Sequence, residues 1–598
     1  MLFADLARNL AETPASYLKA ARAIDGGEVE DLRPIKMAVL ASYTAQLLAP
    51  YLKVEGAARG LLVKPWFAPF GHLEQAVLDE GNALYDHQPE FVVLLLRLEE
   101  VAVPLVERFL TRSEAEIGDA LESLRSRLET LVTGLRRRSQ AAVLIANFPS
   151  LPRPSAGLAE AGLEHSQQAV VEKANAVLAG VAGKFPGVFI FDFAQLVAAH
   201  GWRHWLDPKL FYMGRIPFGA AGQLATARGL VRAMRAALCP PLKCLVLDLD
   251  NTLWGGVLGE DGPGGIALGE DFPGNVFKSF QRYLLELKDR GVLLAICSKN
   301  NPAETCELIA THPDMLLKPG DFTAMRINWQ EKSANLREIA TELNIGVDAL
   351  AFFDDNPAER AEVRARLPQV TVIEAPADPV GYIDAVEESG SFDRLTLSSE
   401  DRQRAELYTQ QQQRREAGEQ FGTKGDFLRS LEMVATVGSI DALTLPRVAQ
   451  LLAKTNQFNL TTRRHSAVEI ETMMRTGAGV WLRLEDRFGD NGLTGVVLAV
   501  PEEGSTWRID TFLLSCRIVS RSAETALLAR LLERLRERGA TEVFGEYCPT
   551  EKNGMCADFY ASHGFVAAGE NRWRLDLTTQ TVDTPPFIAV KESLVEPR

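Results

Sequence analysis

The chain has 598 residues, of which 46% are hydrophobic and 24% charged, an ordinary globular composition too long for one core, so several domains are expected. A formal net charge of −15 argues against non-specific nucleic-acid binding, which depends on clustered positive charge. Seven cysteines without a Cys-x-x-Cys pair exclude a disulfide framework or a zinc-ligand spacing, and apolar runs no longer than Phe91–Leu96 are too short to span a bilayer. The expectation is a reduced, cytoplasmic protein with no membrane or nucleic-acid partner.

The first residues, MLFADLARNLAETPASYLKAA, carry early acidic side chains and helical periodicity and not a basic head before an apolar core, so no signal peptide is read there. Through residue 238, the short apolar runs Met37–Leu40, Phe91–Leu96, Ala142–Asn147 and Val188–Phe191 alternate with helical stretches, the pattern of βαβ units on a parallel sheet. Arg136, Arg137 and Arg138 read as a solvated helix end. Pro240-Pro241 breaks the preceding helix, and a second α/β block at 239–390 is predicted with strands at Cys244–Leu247, Val292–Cys297, Ala351–Phe353 and Val370–Ile373. A polar stretch at 391–425 is predicted as a linking helix, 426–575 as a third unit, and 576–598 as a tail.

The strongest chemical signal is an apolar strand running into Asp248 and Asp250, then Thr252 and a glycine-rich turn after Trp254. Two carboxylates at a strand's end can divide labour, one attacking phosphorus and binding Mg²⁺, the other moving the leaving-group proton. Three further pieces follow in order. Ser298, with Lys299 and Asn300, follows the second strand and offers a hydroxyl to a phosphate oxygen. Lys332, on a helix starting near Trp329-Gln330-Glu331, supplies a cation. Asp354 and Asp355 end another strand with paired carboxylates suited to Mg²⁺.

These residues resemble the four motifs of the haloacid dehalogenase (HAD) superfamily. The resemblance implies Asp248 as nucleophile and Asp250 as general acid/base. It implies Thr252, Ser298, Lys299 and Asn300 around the phosphate, with Lys332 also binding it. Asp248, the carbonyl of Asp250, and Asp354 or Asp355 would hold the metal, with the choice between the last two left open.

The wording is more specific still. LDLDNTLWGGVLGEDG, ICSKNNPAE, INWQEKSANLREIA, FFDDNPAER, LLAKTNQFNLTTRR, RFGDNGLTGVV, LLSCRIVSR and GEYCPTEKNGMCADFYASHGF resemble the FkbH-like proteins (HAD subfamily IIIC) of polyketide assembly lines. The resemblance implies a glyceryl transferase/phosphatase. Such a protein takes a small phosphorylated three-carbon substrate, D-1,3-bisphosphoglycerate, removes phosphate, and loads glyceryl as a thioester on the phosphopantetheine of an acyl carrier protein.

Residues Val480–Phe565 read strand, turn, strand, helix, strand, helix and resemble a GNAT acyltransferase fold, whose family habit is to splay two strands around a pantetheine arm. Where that family places a glycine-rich pyrophosphate loop, Arg517–Glu524 has no glycine, which favours a carrier's phosphopantetheine over coenzyme A. Cys516, before a predicted helix and near Arg517 and Arg521, is the candidate acyl-thioester nucleophile, set against the alternative of a small buried apolar residue. Cys297 is a weaker rival. Asn456, Arg463 and Arg464 are candidate ligands of a polyol or carrier phosphate, and His465 a possible base.

The first unit distantly resembles the SGNH hydrolases. Ser42 stands in the nucleophile position and Asn147 ends a later strand, but Asp207 lacks the histidine expected three residues on. A non-hydrolytic, carrier-docking role is therefore expected. The fold class expected overall is α/β multidomain, with SGNH-like, HAD-like Rossmannoid and GNAT-like parts. Two other functions are weighed beside the leading one, a stand-alone Mg²⁺-dependent phosphatase and a non-catalytic docking protein. Clustered carboxylates with no metal to hold speak against the latter.

Overall fold

The computed structural model describes residues 10–593 except 28, 30–31, 398–409, 411–412, 415–416, 419–420 and 516. The chain divides into two compact units, Met1–Pro240 with Asp393–Thr396, and Pro241–Phe392 with Leu397–Arg598. Arg232 ties Asp393 to the first unit through a two-pronged ion pair, with its Nη2 2.6 Å from Asp393 Oδ1.

The first unit holds one five-stranded parallel sheet. Its strands are β1 (Arg33–Ala41), β2 (Leu61–Phe67), β3 (Phe91–Leu95), β4 (Ala142–Ala146) and β5 (Val188–Phe191), in the order β2-β1-β3-β4-β5. Every residue of β3 is buried, as expected for a central strand covered on both faces by helices. The helix Glu114–Arg138 packs on one face through Leu124, Leu128 and Leu131, and Ala220–Leu238 on the other through Ala227, Leu230 and Val231. Strand β2 was not among the predicted runs. It is an edge strand interrupted by Lys64 and Pro65, and proline is tolerated where no further ladder bond is needed.

In the second unit, β6 (Cys244–Leu247), β7 (Leu293–Ser298), β8 (Phe322–Ile327), β9 (Leu350–Asp354) and β10 (Thr371–Glu374) form another parallel sheet, ordered β10-β9-β6-β7-β8. Alternate residues of β6 and β9 divide between two cores. Leu245, Leu247, Ala351 and Phe353 meet the helix Gly274–Asp289 through Phe280 and Leu284. Cys244, Val246, Leu350 and Phe352 lie in a second core with Leu336 and Ile339 of the helix Lys332–Glu342. Sequence reading placed four of these strands within a residue or so and missed β8, an edge strand with Thr323 and Arg326 inside its run.

The remaining sheet is formed by β11 (Met433–Ser439), β12 (Phe458–Asn459), β13 (Ala478–Asp486), β14 (Gly489–Pro501), β15 (Thr506–Leu514), β16 (Glu542–Glu546), β17 (Val566–Ala567), β18 (Arg572–Asp576) and β19 (Ile588–Glu592). The helix Ala523–Glu537 packs its Leu527, Leu528, Leu531 and Leu535 on this sheet. Three strands, β13, β14 and β15, precede this helix where two were expected, and β16 and a short helix, Phe559–Ser562, follow it as expected. The segment expected as a tail instead returns as edge strand β19, parallel to β11, because Ile588 is buried in the core. The expected linking helix lies largely outside the described residues. Within it, Arg414 donates from Nε and Nη2 to the Asp486 carboxylate at 2.7 and 2.8 Å. No helix among the described residues is long and apolar enough to cross a membrane.

Candidate active site

Parallel register places Leu247 of β6 beside Phe353 of β9, so the next residues, Asp248 and Asp354, emerge together at the carboxyl edge of the sheet. Ser298 ends β7 at the same edge and is buried. Ligand oxygens of Asp248, Asp354 and Asp355 all lie within 4.8 Å of one another. Carboxylates more than a hundred positions apart in sequence therefore meet in one pocket.

Lys332, the first residue of its helix and only 2% exposed, reaches into this group. Its Nζ hydrogen-bonds Asp354 Oδ2 and lies 2.9 Å from Asp248 Oδ1, off the direction of a hydrogen bond, so that this buried oxygen has no hydrogen-bond donor. One ammonium thus faces three carboxylates. Burial first, and then the Asp248 charge, hold the Asp354 carboxyl above its ordinary range and push that of Asp355 up to about 6. A compact oxygen-ligated dication answers all three observations: the surplus negative charge, the all-oxygen donor set and the unpartnered Asp248 oxygen. These residues fit Mg²⁺.

The loop after β9 is held by Arg360, whose buried guanidinium donates from Nη1 to the main-chain oxygens of Asp354 and Asp355, both at 2.7 Å. Its Nε donates to Glu374 Oε2 at 3.2 Å. Sequence reading did not single out Arg360, and its position in FFDDNPAER, six residues past Asp354, was the available signal.

Asp250 stands apart from the metal group. Its Oδ1 accepts hydrogen bonds from Trp254 Nε1 at 2.9 Å and Leu258 N at 3.1 Å, and its Oδ2 from Asn300 Nδ2 at 2.9 Å. The carboxylate lies outside the metal group, and the contribution of Asp250 expected from the motif remains its main-chain carbonyl. Burial, chiefly, and the Asp248 charge raise its pKa, which suits a group that must carry a proton at one stage and accept one at the next.

The other predicted residues separate. Thr252 is fully buried, with a hydroxyl that has no partner. Asn300 is taken up in orienting Asp250. Lys299, expected at phosphate, instead pairs with Glu359 at 2.6 Å and ties the turn to the helix Pro357–Arg366. Cys297 is fully buried, and burial pushes its thiol up to about 12, which removes it as a nucleophile.

Protonation of the cluster yields a pH prediction. In the unfolded chain Asp354 and Asp355 titrate near ~3.9. The metal-free native state keeps protons to higher pH, so between about pH 4 and beyond 6 it binds more protons than the unfolded chain. Its stability is expected to fall as pH rises through that window and then level off. The thermal shift given by Mg²⁺ should accordingly be larger at pH 8 than at pH 5. Unfolding temperatures with chelator and with Mg²⁺ at both pH values check this, and equal shifts would count against it.

In the third sheet, β15 and β16 pair in parallel only over Thr506–Arg508 and Glu542–Phe544, then diverge. The opening is filled by the chain itself. Phe458 and Asn459 of β12 pair with Leu514 and Leu513, Leu460 N donates to Phe512 O at 3.0 Å, and Cys548 N donates to Leu460 O at 2.8 Å. Asn553, fully buried, donates from Nδ2 to Asn459 O and Cys548 O, each at 2.9 Å, and accepts from Thr550 N. The expectation of a splay open to pantetheine is thereby corrected, because segment 458–460 occupies its main-chain bonding edges. Asn553→Ala is expected to cost ~2–3 kcal/mol by leaving buried main-chain groups unpaired, measurable by urea unfolding. A loss below about 0.5 kcal/mol would refute the staple role.

Arg463, Arg464 and Asn456 serve the same segment. Arg463 bridges Asp510 Oδ1 at 2.9 Å and Glu546 Oε2 at 2.6 Å. Arg464 bonds Leu452 O and Asn456 Oδ1. As predicted phosphate ligands they are corrected: the two guanidinium groups, and the Asn456 oxygen that accepts from Arg464, hold the loop. His465 Nε2 lies 2.7 Å from Asp510 Oδ2. Cys516 lies outside the described residues. Arg521 is buried and bonds Asp486 Oδ2 at 2.9 Å, sharing that carboxylate with Arg414.

In the first unit, Ser42 Oγ accepts from Arg97 N at 2.9 Å, Asn147 bonds Asp192 and Ala194 N, and Asp207 caps the helix Pro208–Gly214. These are structural duties.

Comparison with known proteins follows the same lines. Residues 36–222 match the model of the FkbH N-terminal domain. The N-terminal part of a Bacteroides fragilis protein containing a phosphatase domain, solved in complex with Mg, is 29% identical with a TM-score of 0.55, covering 64% of this chain and 99% of that one. The ribosomal-protein-S18-alanine N-acetyltransferase of Escherichia coli covers 24% of this chain and 94% of that one, at 14% identity and a TM-score of 0.20. A GNAT-family acetyltransferase from Staphylococcus aureus covers 24% and 99%, at 8% identity and a TM-score of 0.19. No curated protein matches the sequence. The chain is thus FkbH-like in its N-terminal domain and similar over most of its length to a protein with a Mg-complexed phosphatase domain.

Proposed function

We propose that the chain is a Mg²⁺-dependent HAD-type phosphatase coupled to acyl transfer, loading a glyceryl unit from D-1,3-bisphosphoglycerate onto the phosphopantetheine of an acyl carrier protein in the cytoplasm. The observation that carries the phosphatase half is the meeting of Asp248, Asp354 and Asp355 around Lys332, with Asp250 oriented beside them. The transfer half is supported by the FkbH N-terminal match and by the motif wording around Cys516.

In the first step an Asp248 oxygen attacks phosphorus, the bond from phosphorus to the substrate oxygen breaks, and Asp250 gives its proton to the departing alkoxide. Water then attacks the aspartyl-phosphate, its proton passes to Asp250, and inorganic phosphate leaves. Mg²⁺ bound by the carboxylates supplies neutralisation of the phosphoryl oxygens. Lys332, 2.9 Å from Asp248 Oδ1, offsets the charge around the nucleophile. For acyl transfer, a Cys516 thiolate attacks the acyl-phosphate carbonyl and expels phosphate, and exchange with the pantetheine thiol moves the acyl group to the carrier. The first unit docks the carrier.

Intact-mass measurement of a holo carrier protein incubated with the chain, Mg²⁺ and 1,3-bisphosphoglycerate tests this reading. A glyceryl adduct dependent on Cys516 is expected. Loading that persists in Cys516→Ala removes that residue from the mechanism, and an adduct still bearing phosphate with Asp248 intact reassigns the HAD-type site. A second reading, a phosphatase acting without any carrier, is favoured by one observation, the occupation of the β15–β16 opening by β12. Turnover of free phosphate esters unaffected by carrier protein would select it.

A further inference from the structure

The parallel sheet of the first unit carries a cavity of its own at its carboxyl edge. Tyr43 lies just past β1, Leu95 ends β3, Ala146 ends β4 and Phe193 follows β5, and these line it together with Trp202 and Phe218. The chain leaves β1 toward β2 on one side, whereas β3 pairs on the other, so the strand order reverses past the ends of β1 and β3. Open α/β sheets bind ligands at such a point, because the loops there part and leave a crevice. Packing fixes the walls. Phe218 meets Tyr43 edge-on with ring centres 5.1 Å apart and packs on Phe193 at 5.5 Å.

Water is a poor occupant of this space. The centre of a water-sized sphere has about 20 Å³ in which to move there, more than the ~10–15 Å³ a single water requires. A buried water also needs ~2–4 polar partners, and the walls offer few. Trp202 donates its indole N–H to Ser150 O at 2.9 Å. Arg97 is engaged by Glu99 at 2.7 Å, by Glu100 at 3.5 Å and by the Phe211 ring at 4.7 Å. Its Nη1 lacks a hydrogen bond but is sealed from any occupant by the packing around it. Tyr43 is the exception. It is 4% exposed, and among the described residues its hydroxyl has no hydrogen-bond partner. Burial above all holds that hydroxyl protonated far above its ordinary range, so it stands as a donor. An unmet donor in an apolar enclosure calls for one acceptor on an otherwise apolar body.

We infer that this cavity is a binding site for a short, uncharged carbonyl compound, its oxygen accepting from the Tyr43 hydroxyl and its alkyl end lying against Leu95, Phe193 and Phe218. Charge is selected against. A carboxylate would face the two acids that already answer Arg97. An ammonium would give up its hydration to aromatic and aliphatic walls with a single neutral hydroxyl in exchange. A polyol carries more hydroxyls than the walls have partners. The site shares no residue with the carboxylate cluster around Lys332 and stands independently of the phosphatase reading.

The test uses the full chain and ligand-detected NMR with propionamide as the probe, set against propionate and propylammonium. Propionamide is expected to bind in the millimolar range, as befits so few contacting atoms, and each ion at least about tenfold more weakly. Tyr43→Phe removes a hydroxyl that bonds nothing in the protein, so thermal unfolding should be unchanged while propionamide binding weakens about threefold to tenfold. Leu151→Trp, a larger side chain at a half-buried wall position, should abolish propionamide binding. S-propionylpantetheine distinguishes the source. Binding tighter than that of propionamide assigns the acyl group to an arm carried by another protein, and equal or weaker binding assigns a free small molecule. Binding of either ion as tight as the amide, propionamide binding indifferent to both variants, or no binding at all overturns the inference.

Discussion

Asp248→Asn is expected to lower phosphate release by at least ~10⁴-fold, since the step that forms the phosphoryl-enzyme bond loses its nucleophile. The change is nearly isosteric, so the sheet edge formed by β6 and β9 should stay intact, with Asp248 N still donating to Phe353 O. It also removes one of three carboxylates that crowd around a single ammonium. The metal-free variant should therefore be no less stable than the original chain, and its Mg²⁺-dependent thermal shift should shrink. Steady-state kinetics with a generic phosphate ester, alongside thermal unfolding with and without Mg²⁺, check both halves. Turnover within tenfold of the original would remove Asp248 from the chemistry.

Lys332→Met has the opposite electrostatic consequence. Its ammonium is buried between Asp248 and Asp354, which are 8% and 0% exposed. Removing it leaves two buried carboxylates without their counter-charge, and breaking a buried pair from one side typically costs ~3–5 kcal/mol. Methionine keeps most of the side-chain volume, so the loss reads charge and not packing. Because Mg²⁺ compensates the same surplus charge, stability should recover in part on adding it, and the rescue should exceed the metal's effect on the unaltered chain. Denaturant unfolding under both conditions measures this. A loss below ~1 kcal/mol without metal would mean that solvent already screens the cluster.

How far the sequence alone reached depends on whether a feature is local. Strands β6, β7 and β9 were legible because a central parallel strand buried on both faces is a continuous apolar run. Edge strands β2 and β8 were not, since proline, lysine, threonine and arginine within them blur that signal. Strand β12 has only two residues, and its pairing with β15 spans more than fifty positions, so nothing near Phe458 announces it. The same limit explains Lys299 and Arg463. Each is a cation in a motif, and only folding reveals that Glu359, or Asp510 and Glu546, take it up.

By itself, the amino-acid order determined that an apolar strand would end in Asp248 and Asp250, that a lysine would lie on a later helix, and that a second carboxylate pair would follow another strand. Those are properties of neighbouring residues, set by side-chain chemistry and by hydrophobic periodicity. Tertiary structure alone decided that Asp250 turns away from the metal group toward Asn300 and that Arg360 clamps the Asp354–Asp355 turn. Each depends on the register of parallel strands and on loops brought together from distant positions. Register is settled by the packing of whole faces, which no short stretch of chain contains.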